Sequence, residues 1–433
     1  MEAIAGARDE AGPQTPHGGP LSGIRVLDFT QVVGSSFCSR ILGDMGADII
    51  KVERHPTGDI ARTGGTLSAG DPVAPFFLLC NAGKKSICID IRSPEGVDLV
   101  KQLLLHVDVV LEGYVPGQMA KYGLDYATLS AIKPDIVYCS MSGFGQTGPL
   151  RSWLALAPIV EAMSGLSHAS GDPDGHPRPS GLLPGDANGA INGCLAVLAA
   201  LFHRQRTGVG QYVDTAMFDS LIWLDAINVP YAATRGENTK PHGHHHGAVV
   251  PLGVFACKEG YVMLQATGAG EGSQWGRFCR ATGLDDMIAD PRFDTAGHRI
   301  ANREEVIRRL EGWFRQQPSA NATAEFLQSK GIPAAPVLTP LDVVSHPHVE
   351  ARGLFKELYH PVLDRVVPTM VAPYKYSRTP VSVDSGAPLL GQHNEEILRA
   401  VLSYSDAEIA ALAAKGVISQ DEKVARLRSS GKL

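Results

Sequence analysis

The opening of the chain constrains its fold more than any other stretch. Gly23-Ile24-Arg25-Val26-Leu27-Asp28-Phe29 is an apolar run of strand length, and Ala47 to Glu53 is a second. Between them lie a loop with Gly34-Ser35-Ser36 and a helical segment through Ile41-Leu42 that ends near Gly46. Two strands joined through a helix by short connections form a βαβ unit, the start of a parallel sheet. The alternation continues. Lys84 to Ile91 reads as a strand, and Ser93-Pro94-Glu95 opens a helix with Pro in its first turn that runs to about His106. Asp108 to Glu112 is a fourth strand, Pro116 to Tyr122 a short helix, Asp135 to Met141 a fifth strand and Tyr212 to Thr215 a sixth.

This is the pattern of an α/β protein, whose ligands collect at the C-terminal ends of the strands. The turn-rich loop Ser142-Gly143-Phe144-Gly145-Gln146-Thr147-Gly148-Pro149 stands at one such end. Glu53 closes the second strand, where a dinucleotide fold keeps its ribose-binding acid. Thr30-Gln31-Val32-Val33-Gly34 contains no G-x-G-x-x-G, so a nicotinamide or flavin cofactor is not expected.

With 433 residues the chain can bury two cores. A net charge of −6 argues against a general nucleic-acid binder, yet leaves room for a local basic patch facing a phosphorylated ligand. The seven cysteines form no CxxC pair and sit within apolar patterns, as buried reduced thiols of a cytoplasmic protein do. No apolar run is expected to approach the length of a membrane span. Residues 1–20 read as a disordered tail without the features of a secretory or mitochondrial leader. Residues 230–250 are polar and histidine-rich and read as a boundary or exposed loop. His242, His244, His245 and His246 could offer metal ligands, but no Cys, Asp or Glu lies among them, and no metal site is expected. Two further strands (252–255 and 261–265), a helical stretch (275–330) and a strand-rich tail (355–377) follow, then two closing helices.

The stretch with the most chemical promise is Pro184-Gly185-Asp186-Ala187-Asn188-Gly189-Ala190. It opens an apolar helix, expected over 187–205 and carrying Ile191, Cys194, Leu195, Leu198 and Phe202 at helical spacing; other apolar positions suggest burial on most sides. Asp186 has two readings. As an N-cap it would complete the helix start. As a working carboxylate it would be held ionised by the same N–H groups and the helix dipole. Local physics alone favours the cap. No G-x-S-x-G, P-loop or H-E-x-x-H occurs. What remains is a carboxylate near glycine loops, which could act as a nucleophile on an activated acyl group while backbone N–H groups meet the oxyanion.

Over about residues 21–402 the chain resembles the class III CoA-transferase family. The resemblance rests on L-S-G-I-R-V-L-D-F-T, G-D-M-G-A-D-I-I-K-V-E and N-A-G-K-K-S-I-C-I-D-I-R-S-P-E-G, then S-G-F-G-Q-T-G-P, P-G-D-A-N-G-A, T-G-V-G-Q-Y-V-D, D-P-R-F and P-L-L-G-Q-H, in that order. It implies a large Rossmann-like domain built from both chain ends (21–225 and 341–433), a smaller α+β domain with linkers (226–340), and an interlocked dimer. It also implies ping-pong transfer through aspartyl anhydride and enzyme–CoA thioester intermediates. No cofactor is held permanently; CoA thioesters are the substrates. The matching nucleophile is Asp186. CoA-contacting candidates carried over by position are Val32, Arg54, Ile89, Arg92, Tyr114 and Lys121, with Arg54 and Lys121 for phosphates. Gly243, His244, His245, His246 and Gly247 fall at the family's glycine-rich flap.

Departures sharpen the expectation. Gly34-Ser35-Ser36 stands where many members have Ala-Gly-Pro, and Val33 where some have Gln. Ala157-Pro158 stands where others have Tyr-Asp or His-Asp. The 2-methylacyl-CoA racemases that share the fold use that His as one of two bases, so racemisation here would lack a base. The resemblance points to succinyl-CoA as donor and a dicarboxylate as acceptor. Histidines 244–246, Arg40 or Arg151 are candidates for the distal carboxylate. A racemase or epimerase, or a non-catalytic subunit of a heteromeric transferase, are the alternatives.

Overall fold

The computed structural model describes residues 18–63 and 73–433. The expected disordered tail lies almost wholly outside them. The chain divides into two compact units: Met1–Ser164, Gly181–Leu224 and Glu350–Leu433 form the first, Gly165–Ser180 and Asp225–Val349 the second.

The first unit holds six parallel strands: β1 (Arg25–Phe29), β2 (Asp48–Arg54), β3 (Lys85–Ile89), β4 (Val109–Glu112), β5 (Val137–Ser142) and β6 (Tyr212–Ala216). Their order is β3-β2-β1-β4-β5-β6, with Leu27 in register with both Ile50 and Val110. Strand order reverses between β1 and β4, which makes a crevice at their C-terminal ends. Both faces of the sheet are covered. Leu27, Ile50, Ile87 and Val110 pack into one core, and Val26, Ile49, Val109 and Val137 into another with Cys38, Leu42 and Val197. Burial on both sides explains why these strands read as continuous apolar runs rather than alternating ones. The chain's last part seals the β3 edge. There the Ser86 N–H donates to His393 Nδ1 and the Cys88 N–H to Asn394 Oδ1. The strand-rich tail is a hairpin, β10 (Phe355–His360) with β11 (Arg365–Met370).

The helix of the Asp186 stretch spans Pro184–Thr207, longer at both ends than expected, with Gly208 in the left-handed conformation at its C-cap. Its burial also differs. Ala190, Cys194, Val197 and Ala200 face the core, while Ile191, Leu195 and Phe202 are exposed. Small residues face inward because the sheet lies so close: a Cβ at Gly193 would stand 2.6 Å from Met141 Cε. The expectation about apolar length is corrected too. The helix is 24 residues long and contains an 18-residue window of mean hydropathy 1.3, so by length and composition it is able to cross a membrane. Here it packs along the Gly34–Asp44 helix and against β5.

The second unit is built on an antiparallel sheet of β7 (Leu252–Ala256), β8 (Tyr261–Gln265) and β9 (Ala334–Pro336), with Phe255, Trp275, Phe278 and Phe314 in its core. Buried Arg299 donates to the carbonyls of Val250, Phe293 and Gly268, which satisfies its guanidinium inside that core. The seven cysteines are free thiols, all buried except the half-buried Cys257, as the sequence suggested.

Candidate active site

A cavity of about 430 Å³ opens at the switch point, lined by the loops after β1 and β4, the end of β5 and the start of the Pro184–Thr207 helix. Among the described residues its lining holds one carboxylate, Asp186, and one phenol, Tyr114, and no histidine. Ala157 and Pro158 also line it.

Asp186 is not the N-cap. Leu183 holds that position without a side-chain bond, Pro184 begins the helix, and Asp186 lies within the first turn. Its carboxylate is turned to a second helix start instead. The backbone N–H of Gly34, the first residue of the Gly34–Asp44 helix, faces it and favours its charged form. The approach needs glycine: a Cβ at Gly34 would stand 2.7 Å from Asp186 Oδ1. The sequence shows Gly34 as a loop glycine, and nothing in the local pattern joins it to a residue 152 positions on, which is the number difference 186 − 34.

The electrostatics also correct the expectation. Burial, then the negative charge of Glu161, push Asp186 up to about 6, and the Gly34 N–H opposes them without prevailing. Glu161 was missed by the sequence reading. It lies on the Ala157–Met163 helix, is buried, and its Oε1 accepts the Gly185 N–H at 3.2 Å. One helix start thus carries two carboxylates beside it: Glu161, which accepts from its second residue, and Asp186, which lies in its first turn and faces Gly34.

The carried-over residues divide into lining and rim. Val32 and Tyr114 line the cavity, and Gln31 Nε2 donates to Tyr114 Oη at 3.3 Å. Arg54, Arg92 and Lys121 are exposed at the C-terminal side of the sheet. Arg92 pairs with Asp90 at 2.7 Å and reaches the His55 carbonyl at 3.5 Å, beside Arg54. Ile89 is fully buried in the core, so its side chain is not presented to solvent. Arg40 is spent inside the protein. It donates to Asp44, Leu79 O and Met370 O, and is not free to pair with a substrate carboxylate. Glu53 is likewise no ribose ligand: buried, it accepts from Arg62, Ser86 Oγ and the Asp59 N–H.

The histidine-rich stretch belongs to the second unit and is tied down. His245 pairs with Gly253, its ring lies 4.8 Å from that of Phe255, and Arg303 donates to its carbonyl. His242 and His246 stack at 4.1 Å, and Gly247 and Ala248 donate their N–H groups to the Nδ1 atoms of His242 and His246. Gly243 and His244 are the exposed part.

Fold and site together define a doubly wound α/β protein with, among the described residues, a single carboxylate at its switch-point cavity. The profile described as CoA-transferase family III matches residues 21–394. The succinyl-CoA:glutarate CoA-transferase of Mus musculus is 36% identical over 405 residues, covering 93% of this chain and 91% of that protein. The succinyl-CoA:mesaconate CoA-transferase of Haloarcula hispanica is 35% identical, covering 88% and 96%. The crystal structure of a CAIB/BAIF family protein from Brucella suis superposes with a TM-score of 0.79 at 32% identity, over 89% of this chain and all of that one. The chain belongs to CoA-transferase family III and is an enzyme of the CoA-transferase class.

Proposed function

We propose that this enzyme moves CoA from succinyl-CoA to a dicarboxylic acid, with Asp186 as the covalent nucleophile. The observation that carries the reading is the half-buried carboxylate of Asp186, the one carboxylate among the described lining residues, faced by the Gly34 N–H. The relatives' names, succinyl-CoA:glutarate and succinyl-CoA:mesaconate CoA-transferase, support the donor and the acceptor class.

In this mechanism an Asp186 oxygen attacks the thioester carbonyl of succinyl-CoA. The C–S bond breaks, giving a mixed anhydride and CoA thiolate. The thiolate attacks the aspartyl carbonyl, releases succinate and leaves an aspartyl–CoA thioester. The acceptor carboxylate then attacks that thioester, expelling the thiolate and forming a second anhydride. The thiolate attacks the acceptor-derived carbonyl, which yields the new CoA ester and returns Asp186 as a carboxylate. Whenever the aspartyl carbonyl is attacked, negative charge grows on its oxygen, and the Gly34 N–H that serves the resting carboxylate can serve this oxyanion. Val32 and Tyr114 are assigned to the thiol-bearing arm of CoA, and Arg54, Arg92 and Lys121 on the rim to its phosphates. Racemisation would require a second base, and among the described residues the cavity lining offers no histidine for it.

The reading includes a second copy of the chain. Leu154 and Trp223 are each 84% exposed, and Leu195 and Phe202 add to the uncovered apolar surface of the first unit. A homodimer covering this surface is expected to sediment at twice the chain mass, and Leu195→Asp to shift it toward monomer. Substrate identity is tested by incubating the enzyme with succinyl-CoA and a panel of mono- and dicarboxylic acids, and reading CoA esters by mass spectrometry. Product with C4–C6 dicarboxylates is expected. Transfer to monocarboxylates alone would overturn the acceptor class.

A further inference from the structure

The loop that carries Gly34 to Asp186 is held in an unusual way. Val32 has φ +61°, the left-handed region that a β-branched residue rarely occupies. Its N–H donates to Asp59 Oδ1 at 3.1 Å, and the same oxygen takes the Ala61 N–H at 2.9 Å. Asp59 Oδ2 pairs with Lys51 Nζ at 2.9 Å, with both side chains essentially buried. Lys51 in turn donates to the Thr30 carbonyl at 2.7 Å, two residues before Val32. The loop is therefore gripped at the strained residue and again two residues before it by one buried ion pair. Burying both charges carries a large desolvation cost, and an apolar pair of similar volume is often at least as stabilising. Stability alone gives this pair little reason to stand here.

We propose that the Lys51–Asp59 pair is a positioning device for the transfer reaction: it holds Val32 in the left-handed conformation and thereby delivers the Gly34 N–H to Asp186. Neither residue touches substrate. Asp59 acts through the Val32 N–H and Lys51 through the Thr30 carbonyl. The inference rests on Asp186 being the nucleophile. It adds that the geometry of this nucleophile is set from β2 and the residues just after it, outside the cavity lining.

The test uses the strain itself. Lys51→Met/Asp59→Leu removes both charges and the acceptor together and avoids leaving a lone buried charge. Thermal melting establishes that it folds. The measured rate is formation of the CoA adduct on Asp186 from succinyl-CoA. The double variant is expected to lose at least about 10-fold, the scale of a small misplacement of a reacting group. Glycine adopts the left-handed region without penalty, so adding Val32→Gly to the double variant should bring the rate back to within about 3-fold of Val32→Gly alone. The acid limb of the pH profile should move upward in the double variant, because the Gly34 N–H that favours the carboxylate is displaced. An equal loss on the Val32 and Val32→Gly backgrounds would overturn the proposal, as would a double variant with the wild-type rate. If the double variant does not fold, Lys51→Met/Asp59→Val and the same pair with Val32→Gly make the same comparison. Absence of any adduct in the wild-type enzyme would instead overturn Asp186 as nucleophile, so the two failures are distinguishable.

Discussion

Two groups of buried or half-buried carboxylates in the first unit differ in how they are compensated. Around the β1–β2 end, Asp28 pairs with Lys84 at 2.9 Å and accepts from Ser39 and Thr30. Glu53 pairs with Arg62, and Asp59 with Lys51. Burial would raise Glu53, but Arg62, Lys51 and Ser86 hold it down at about 2. At the start of the Pro184–Thr207 helix, burial and then the charge of Glu161 raise Asp186 to about 6, with one backbone N–H opposing them. The same fold pairs Asp28, Glu53 and Asp59 with cations and gives Asp186 a second acid. A carboxylate locked by a cation would be a poor nucleophile, while one with a raised pKa is more basic yet still mostly ionised at neutral pH.

The comparison can be broken at several points. Asp186→Asn should have the largest effect, a loss of about 10⁴-fold or more in turnover, because the covalent route closes. Gly34→Ala comes next. Its Cβ would sit 2.7 Å from Asp186 Oδ1, and a loss of about 100-fold in kcat with a smaller change in melting temperature is expected. Arg54→Ala with Lys121→Ala should raise KM for the CoA substrate by roughly 3- to 10-fold and leave kcat near wild type. The effect should shrink in high salt, since both groups are exposed.

The smallest effect sharpens the comparison most. The sign follows from the raised pKa: as pH falls through about 6, Asp186 takes up a proton, the nucleophile is lost and the rate declines. Glu161→Gln removes the like charge, so the acid limb should move to lower pH, with a change at neutral pH below about 3-fold. An acid limb that stays in place would show that Glu161 does not set the basicity of Asp186.

The sheet was legible because strands buried on both faces leave long apolar runs, and its six strands fall within a few residues of the expected places. The helix at Pro184–Thr207 was legible as a helix but not in its orientation. Apolar residues on every side conceal which face meets the sheet, and the deciding signal was the small set Gly189, Ala190 and Gly193. Asp186 could be singled out by its turn-forming neighbours and the family resemblance. Its environment could not, because Gly34, Glu161 and the Lys51–Asp59 pair reach it or its loop only through tertiary packing. Arg40 shows the reverse error: a cation that looks available for a substrate is consumed by Asp44 and two carbonyls.

The central claim is that Asp186 becomes covalently bonded to CoA during turnover. Incubation with succinyl-CoA, without acceptor, followed by rapid quench and peptide mass mapping tests it directly. A CoA adduct on the peptide containing Asp186, removed by hydroxylamine and absent from Asp186→Asn, is the predicted result. Full turnover by Asp186→Asn, or an adduct on a different residue, would contradict it.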